Sequence, residues 1–227
     1  MPVSFAPFIA GFEDDTFRGN SVITREQFIA ILHRLQRPQA AQEGANDDTA
    51  LQGGENTATQ DGRVLAGQTA EGGAGFAAQE PAFKDVLPGR WSYDALAWAK
   101  EAGVIEADAE GNFNPSAPLT RAEVALTLVK INGLTEQAED AFTDLAGHPD
   151  RADILKAVQA GLFGGYPDGS FKPDSPSTRA EVVAVLIRYL LGGEPGEEQW
   201  RGIELSFSDV APSYWAYRYI ALATKGR

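Results

Sequence analysis

Cysteine is absent from the 227 residues, which removes disulfide frameworks, Cys-ligated zinc and thiol catalysis. It leaves the compartment open, since a chain without cysteine suits the cytosol and an exposed surface alike. Positive charge is short: 19 Lys and Arg stand against 32 Asp and Glu, a formal net charge of −13 with a pI near 4.6. Nucleic acids and anionic lipid surfaces attract basic proteins, so neither is expected as a principal partner. No apolar run approaches the roughly 18–20 residues that a membrane span needs. The start, Met1-Pro2-Val3-Ser4-Phe5, lacks the basic and apolar regions of a signal peptide. A secreted parent would make this chain a fragment or a mature form. What is present is a hydrophobic fraction of 43% with 10% aromatics, ordinary for a packed core.

The chain repeats itself. One segment runs from Ala82-Phe83-Lys84-Asp85-Val86 through Leu119-Thr120-Arg121-Ala122-Glu123-Val124 to Ile131. A second runs from Ala141-Phe142-Thr143-Asp144-Leu145 through Thr178-Arg179-Ala180-Glu181-Val182 to Leu190. Each opens on Phe-x-Asp-(Val/Leu) and passes through a helical stretch and a Gly-rich turn into a second apolar helix. Two half-units flank them. Gly11 to Phe28 aligns without gaps on Gly165 onward, and Phe207-Ser208-Asp209-Val210 with Trp215 repeats the Phe83–Trp91 spacing. A repeat cannot bury its apolar face alone. The C-terminal half is therefore expected to dock on the N-terminal half and close a threefold ring, with the termini close together. The boundaries are 1–37 for the back half of the split unit, 82–134 and 141–191 for the whole units, and 206–227 for the front half. Residues 38–81 are rich in Gly, Ala, Gln, Asn, Asp and Glu and read as a flexible acidic linker; 192–205 is a shorter Gly/Glu-rich connection anchored by Trp200.

Thr120 to Glu123, Thr178 to Glu181 and Thr24 to Gln27 have the spacing of capping boxes. Leu119 with Val124 and Ile23 with Phe28 fit hydrophobic staples; Ser177 holds the staple position of the third copy, which predicts a looser helix start there. Apolar stripes follow at helical spacing: Val124, Leu128, Ile131; Val182, Val185, Leu186, Tyr189; Phe28, Ile31, Leu32, Leu35. The capping pattern leaves Arg25, Arg121 and Arg179 unexplained, because a cation in a first helical turn opposes the helix dipole. Two readings stand, and they are compatible. Each Arg pairs with a carboxylate such as Asp85, Asp144 or Asp209, or each combines with free helix N–H groups into an anion site.

Phe-x-Asp-Val, Trp eight residues after the Phe, Gly165-Tyr166-Pro167-Asp168-Gly169-Ser170-Phe171-Lys172-Pro173 and Thr178-Arg179-Ala180-Glu181 together resemble the S-layer homology repeat. The resemblance implies an all-α fold of three helix–loop–helix units around a pseudo-threefold axis. It implies a non-enzymatic, extracellular module at the cell wall or S-layer, binding a secondary cell-wall polysaccharide, an acidic one with pyruvate ketals, in grooves between repeats. Binding would be led by Arg179, Arg121 and Arg25, with Trp91 and Trp215, Thr120 and Thr178, and Asp168 and Gly169 as further contacts. No cofactor and no metal is implied, nor nucleic acid or membrane insertion. The expected state is a monomer, with a half-repeat-swapped dimer as the other way to close the split unit.

Plainer readings accompany these residues. Trp91 and Trp215 stack on sugars or, as aromatics at recurring helix starts more often do, belong to the core; Phe83, Phe142 and Phe207 are core. Asp168-Gly169 is first a turn, and Asp85, Asp144 and Asp209 are N-cap or turn acceptors. The copies also differ. His148-Pro149-Asp150 replaces the Trp segment, Glu26 stands where Ala122 and Ala180 stand, Glu13-Asp14-Asp15 replaces Pro-Asp-Gly, and Glu106 to Gly111 reads as a longer, more acidic turn. Unequal grooves follow, the best preserved pairing Arg179 with Trp215. A protein-interaction module with degenerate glycan grooves is the alternative. A wall-polymer hydrolase would need a carboxylate pair that nothing in the sequence singles out.

Overall fold

The computed structural model describes residues 5–36 and 81–226; apart from Pro81, the stretch read as an acidic linker lies outside them. Seven helices carry the described residues: α1 (Arg25–Gln36), α2 (Tyr93–Glu101), α3 (Arg121–Asn132), α4 (Arg151–Gln159), α5 (Arg179–Leu191), α6 (Glu197–Trp200) and α7 (Tyr217–Lys225). Among these residues the only β pairing is isolated bridges, so the fold is all-α. Helix α2 lies on α1, α4 on α3 and α7 on α5. Each partnership therefore joins the last helix of one unit to the first helix of the next.

The capping boxes start the three long helices. Thr120 and Thr178 accept from the N–H groups of Glu123 and Glu181, whose carboxylates take the Thr backbone N–H. Gln27 does the same for Thr24. Helices α3 and α5 end on Gly133 and Gly192 with left-handed φ of 59° and 69°, a conformation that only glycine adopts freely. Of the predicted stripes, Phe28, Ile31, Leu32, Val124, Leu128, Val182, Val185 and Leu186 are buried, while Leu35, Ile131 and Tyr189 at the far ends are partly buried against the core.

The residues just before the three Thr caps form a closed cycle of backbone hydrogen bonds. Leu119 N–H donates to Ile23 (3.0 Å), Ile23 N–H to Ser177 (3.1 Å) and Ser177 N–H to Leu119 (2.8 Å). This is the pseudo-threefold axis in atomic terms. It also corrects the expectation of a looser start at α5: Ser177 is buried, and its N–H and C=O both serve the cycle.

The split unit is built as the whole ones are. Asp85 accepts from the N–H groups of Phe113 and Asn114, Asp144 from Phe171 and Lys172, and Asp209 from Phe17 and Arg18, all at 2.7–2.8 Å. These aspartates are thus turn acceptors that staple the front half of a unit to its back half, and none caps a helix. Lys84, Thr143 and Ser208 donate their N–H groups to Gly111, Gly169 and Asp15. The aromatic pairs Phe83–Phe113, Phe142–Phe171 and Phe207–Phe17 sit 5.1–5.6 Å apart. In the split unit these bonds join opposite ends of one chain, and Phe8 N–H adds a bond to Ala223 (3.0 Å). A Cβ on Gly11 would fall 2.1 Å from the Phe207 ring, and one on Gly165 2.7 Å from Phe142; both glycines admit the ring that docks the front half.

The turn from Glu106 to Gly111 is no longer than its counterparts. Asp108 N–H bonds Asn112, and Gly111 N–H bonds Asp108, as Tyr166, Ser170 and Gly169 do in the next unit and Phe12, Thr16 and Asp15 do in the first. Gly111, Gly169 and Asp15 share positive φ there. In the 192–205 connection α6 forms, and Trp200 packs edge-on against Tyr217, 6.3 Å between rings.

Candidate functional site

The N-terminal N–H groups of the long helices are not open. Arg25 and Glu26 donate theirs to the carbonyls of Ala117 and Pro115, Arg121 and Ala122 to Ser175 and Pro173, and Arg179 and Ala180 to Ser21 and Gly19. The next N–H goes to the Thr hydroxyl. The helix starts are therefore spent on neighbouring units, and the anion-site reading loses its backbone half.

The three Arg side chains fold back over the turn of a neighbouring unit. Arg121 donates to the Gly164 carbonyl (2.7 Å) and covers Phe163, Tyr166 and Phe171 at 4.8–5.1 Å. Arg179, only 5% exposed, donates to Ala10 and covers Phe12 and Phe17. Arg25 covers Phe113 at 4.4 Å and pairs with Glu123 at 3.2 Å. Both oxygens of Asp85, Asp144 and Asp209 accept from backbone N–H groups.

Burial lowers the affinity of Arg121 for its proton, against the pull of Tyr166 and Glu181. Burial also raises the Tyr166 phenol, helped by its bond to Glu181 (2.8 Å). For Glu181, burial pushes its pKa upward. The Thr178 N–H and hydroxyl, the Tyr166 hydroxyl and the Arg121 charge outweigh this and leave it lowered.

Trp91 and Trp215 are 41% and 52% exposed, which overturns their assignment to the core. Trp215 packs against Tyr214 and Tyr219, at ring separations of 5.9 and 6.2 Å. Beside it, a cleft of about 320 Å³ is lined by Arg18, Gly19, Asn20, Ser21, Asp209 and Tyr214. The Tyr214 hydroxyl donates to Asn20 (2.9 Å) across it. The cleft straddles the two halves of the split unit and adjoins the start of α5, where Ser21 and Gly19 receive the Arg179 and Ala180 N–H groups. The pair singled out from the sequence, Arg179 and Trp215, does not line the cleft; Arg18, Asn20 and Tyr214, which do, were missed. Only the place of Tyr214 next to Trp215 could have signalled them.

The matching position beside Trp91 is closed. Glu26, 6% exposed, receives both arms of Arg90 at 2.8 Å and the Ser92 hydroxyl at 2.6 Å, and Arg90 also reaches Ser116. The negative charge of Glu26, which stands where the other units have Ala, is neutralised by Arg90. In the remaining unit Asp150 takes the Trp place, and His148 accepts from Asp150 N–H through Nδ1 while its Nε2 faces Asp174 at 3.4 Å. Asp168 is an exposed turn residue. It accepts from the Ser170 hydroxyl and N–H and pairs with Lys172, which together lower it to about 2; Gly169, with φ of 78°, completes the turn. The Thr120 and Thr178 hydroxyls are engaged in their caps. Among the described residues no cluster of three or more His, Asp and Glu is placed to hold a metal ion, and no helix is long and apolar enough to cross a membrane.

Residues 8–29, 82–125 and 141–183 match the model of the S-layer homology domain. A cellulosome-anchoring protein of Acetivibrio thermocellus is 30% identical over 222 residues, 95% of this chain and 41% of that protein. A surface-layer 125 kDa protein of Lysinibacillus sphaericus is 30% identical over 135 residues, 59% of this chain and 11% of that one. An amylopullulanase of Thermoanaerobacterium thermosulfurigenes is 32% identical over 116 residues, 48% of this chain and 6% of the enzyme. The chain thus spans less than half the length of each of these relatives.

Proposed function

Because the chain belongs to the S-layer homology family, we propose that it is a non-catalytic module that holds its parent protein on the bacterial cell wall by binding a secondary wall polysaccharide. The polymer carries acidic groups of the pyruvate-ketal kind and lies in grooves between repeats. The chain works at the cell surface as a monomer. The observation that carries this reading is the half-exposed Trp215 beside the polar cleft. A large apolar ring left in water next to convergent polar groups is where a ligand with one flat, weakly polar face and several hydroxyls gains most.

The names of the anchoring and surface-layer relatives support the assignment. The amylopullulanase shares only a small part of its length with this chain, in keeping with a module that accompanies varied cargo. Arg25, Arg121 and Arg179 contribute positive potential beneath the grooves. Trp91 and Trp215 offer stacking faces, and Thr120, Thr178, Asp168 and Gly169 hold the helix starts and turn that shape them. A chain of net charge −13 needs such local cations to receive an acidic polymer.

Co-sedimentation with purified cell walls, before and after chemical removal of the secondary polysaccharide, tests this. Binding is expected only to untreated walls, and Trp215→Ala is expected to weaken it. Equal sedimentation with stripped walls would turn the assignment toward a protein partner, a reading that the Glu26–Arg90 closure of one groove favours.

A further inference from the structure

We infer that Glu194 is a positioning residue for Trp215: through the hydroxyl of Tyr219 it fixes the exposed ring that meets the ligand. The inference rests on the wall-anchoring reading and assigns the means by which the chain presents that ring. Trp215 precedes α7, so no helical turn holds its side chain. It is 52% exposed, and its ring packs on Tyr214 and Tyr219. A side chain that stacks on a ligand gives up rotamer freedom at that moment, unless the fold has already removed it.

Tyr219 is only 1% exposed, and three parts of the chain meet at its hydroxyl. The hydroxyl donates to Glu194, in the 192–205 connection. It accepts from Arg188 of α5 (3.0 Å) and from Arg218 of α7 (2.9 Å). One donation and two acceptances saturate a phenol hydroxyl, so the place of the ring is set from its far end. Arg188 and Arg218 also reach Glu194 directly, at 2.6 and 3.1 Å, and lie 5.1 and 4.8 Å from the Tyr219 ring centre. Burial pushes the Glu194 carboxyl upward; the Tyr219 and Arg188 bonds and the two guanidinium charges outweigh this and leave it lowered. Without that carboxylate, two like charges would face one neutral hydroxyl. Glu194 is itself 54% exposed, so its ion pairs add little to global stability. What they set is local.

The other units lack the brace. In the place of Tyr219, four positions beyond the Trp position, stand Ala95 and Ile154; in the place of Arg218 stand Asp94 and Asp153. Lys130, the counterpart of Arg188 in the unit from Ala82, pairs with exposed Glu106 at 2.7 Å. Beside Trp91, Arg90 is spent on Glu26, where the split unit has Tyr214 and Ala180. The braced tyrosine therefore accompanies the Trp whose groove is open.

The test joins nuclear magnetic resonance of the full chain to its sedimentation with polysaccharide-bearing walls. The Trp215 indole N–H signal is assigned by its loss in Trp215→Phe. Glu194→Ala should move that signal and leave the Trp91 signal in place. It should weaken wall binding on the order of 5-fold, the scale of immobilising one side chain. Tyr219→Phe keeps the ring, removes the hydroxyl and should do the same. The double variant should be no worse than either single one, because both act through one bond. Glu106→Ala, which removes the matching pair with Lys130, should change neither the Trp215 signal nor the affinity, and thermal melts of each variant confirm folding. An unmoved Trp215 signal in Glu194→Ala, wall binding equal to the parent's, or losses that add in the double variant would overturn the assignment while the anchoring reading survives. Parent chain that ignores the walls would remove the anchoring reading, and the positioning role with it.

Discussion

Replacing Asp209 with Ala isolates what closes the split unit. The side chain accepts two backbone N–H groups at 2.7 Å, from Phe17 and Arg18 at the opposite end of the chain. Hydrogen bonds to a charged acceptor contribute about 1.5–3 kcal/mol each. Asp209 is exposed, which puts both bonds at the lower end, so Asp209→Ala should cost about 3 kcal/mol in total. For a domain of this size that lowers the melting temperature by roughly 6–12 °C. Urea unfolding gives the free energy, and amide exchange at Phe17 and Arg18 gives the location, since both N–H groups lose their acceptor. Asp85→Ala and Asp144→Ala remove equivalent pairs from the whole units and should cost about the same. An Asp209→Ala chain within about 0.5 kcal/mol of the parent, as for an ordinary surface substitution, with both amides still protected, would refute the staple.

Three further outcomes follow from the packing. Glu26→Ala leaves Arg90 without its buried partner and should destabilise by roughly 3 kcal/mol; adding Arg90→Tyr rebuilds the Ala180–Tyr214 combination and should recover much of the loss in urea unfolding. Thr120→Ala and Thr178→Ala each remove an N-cap and should cost about 1 kcal/mol, read as a shifted unfolding midpoint. Glu181 has a lowered pKa in the folded chain, against an ordinary value of 4.5. Its contribution is therefore complete above that value and is lost as pH falls through the lower folded one. Glu181→Gln should flatten the fall in melting temperature below about pH 4.5, and an unchanged acid slope would count against the linkage.

Local chemistry was legible in the sequence; long-range partnership was legible only where it repeated. Thr24, Thr120 and Thr178 announced their caps because a capping box lies within four residues. The union of the termini could be read because Phe207 to Trp215 copies Phe83 to Trp91. The fate of the helix N–H groups could not be read, because the carbonyls of Gly19, Ser21, Pro115, Ala117, Pro173 and Ser175 that take them are backbone groups that any residue supplies. The pairing of Glu26 could not be read because its partner, Arg90, stands 64 positions away. Trp91 and Trp215 looked like core because periodicity gives the face of a helix, whereas both precede their helices, where no stripe constrains them. Arg18 lay in plain sight after Phe17. Its place above Phe12 needed the turn to be folded.

The cycle through Ile23, Leu119 and Ser177 has no first member, and the outer contacts repeat around it with the first and last described residues in touch: a Cβ on Gly226 would lie 2.8 Å from the Phe5 carbonyl. The order in which the units follow one another along the backbone is thus a matter of covalent convenience. A circular permutant that tethers residue 226 to residue 5 and opens the backbone between 134 and 141 would present three uninterrupted units with every hydrogen bond above retained. Evolution can cut such a wheel at any spoke, so gene order and spatial order need not agree among proteins that share this architecture.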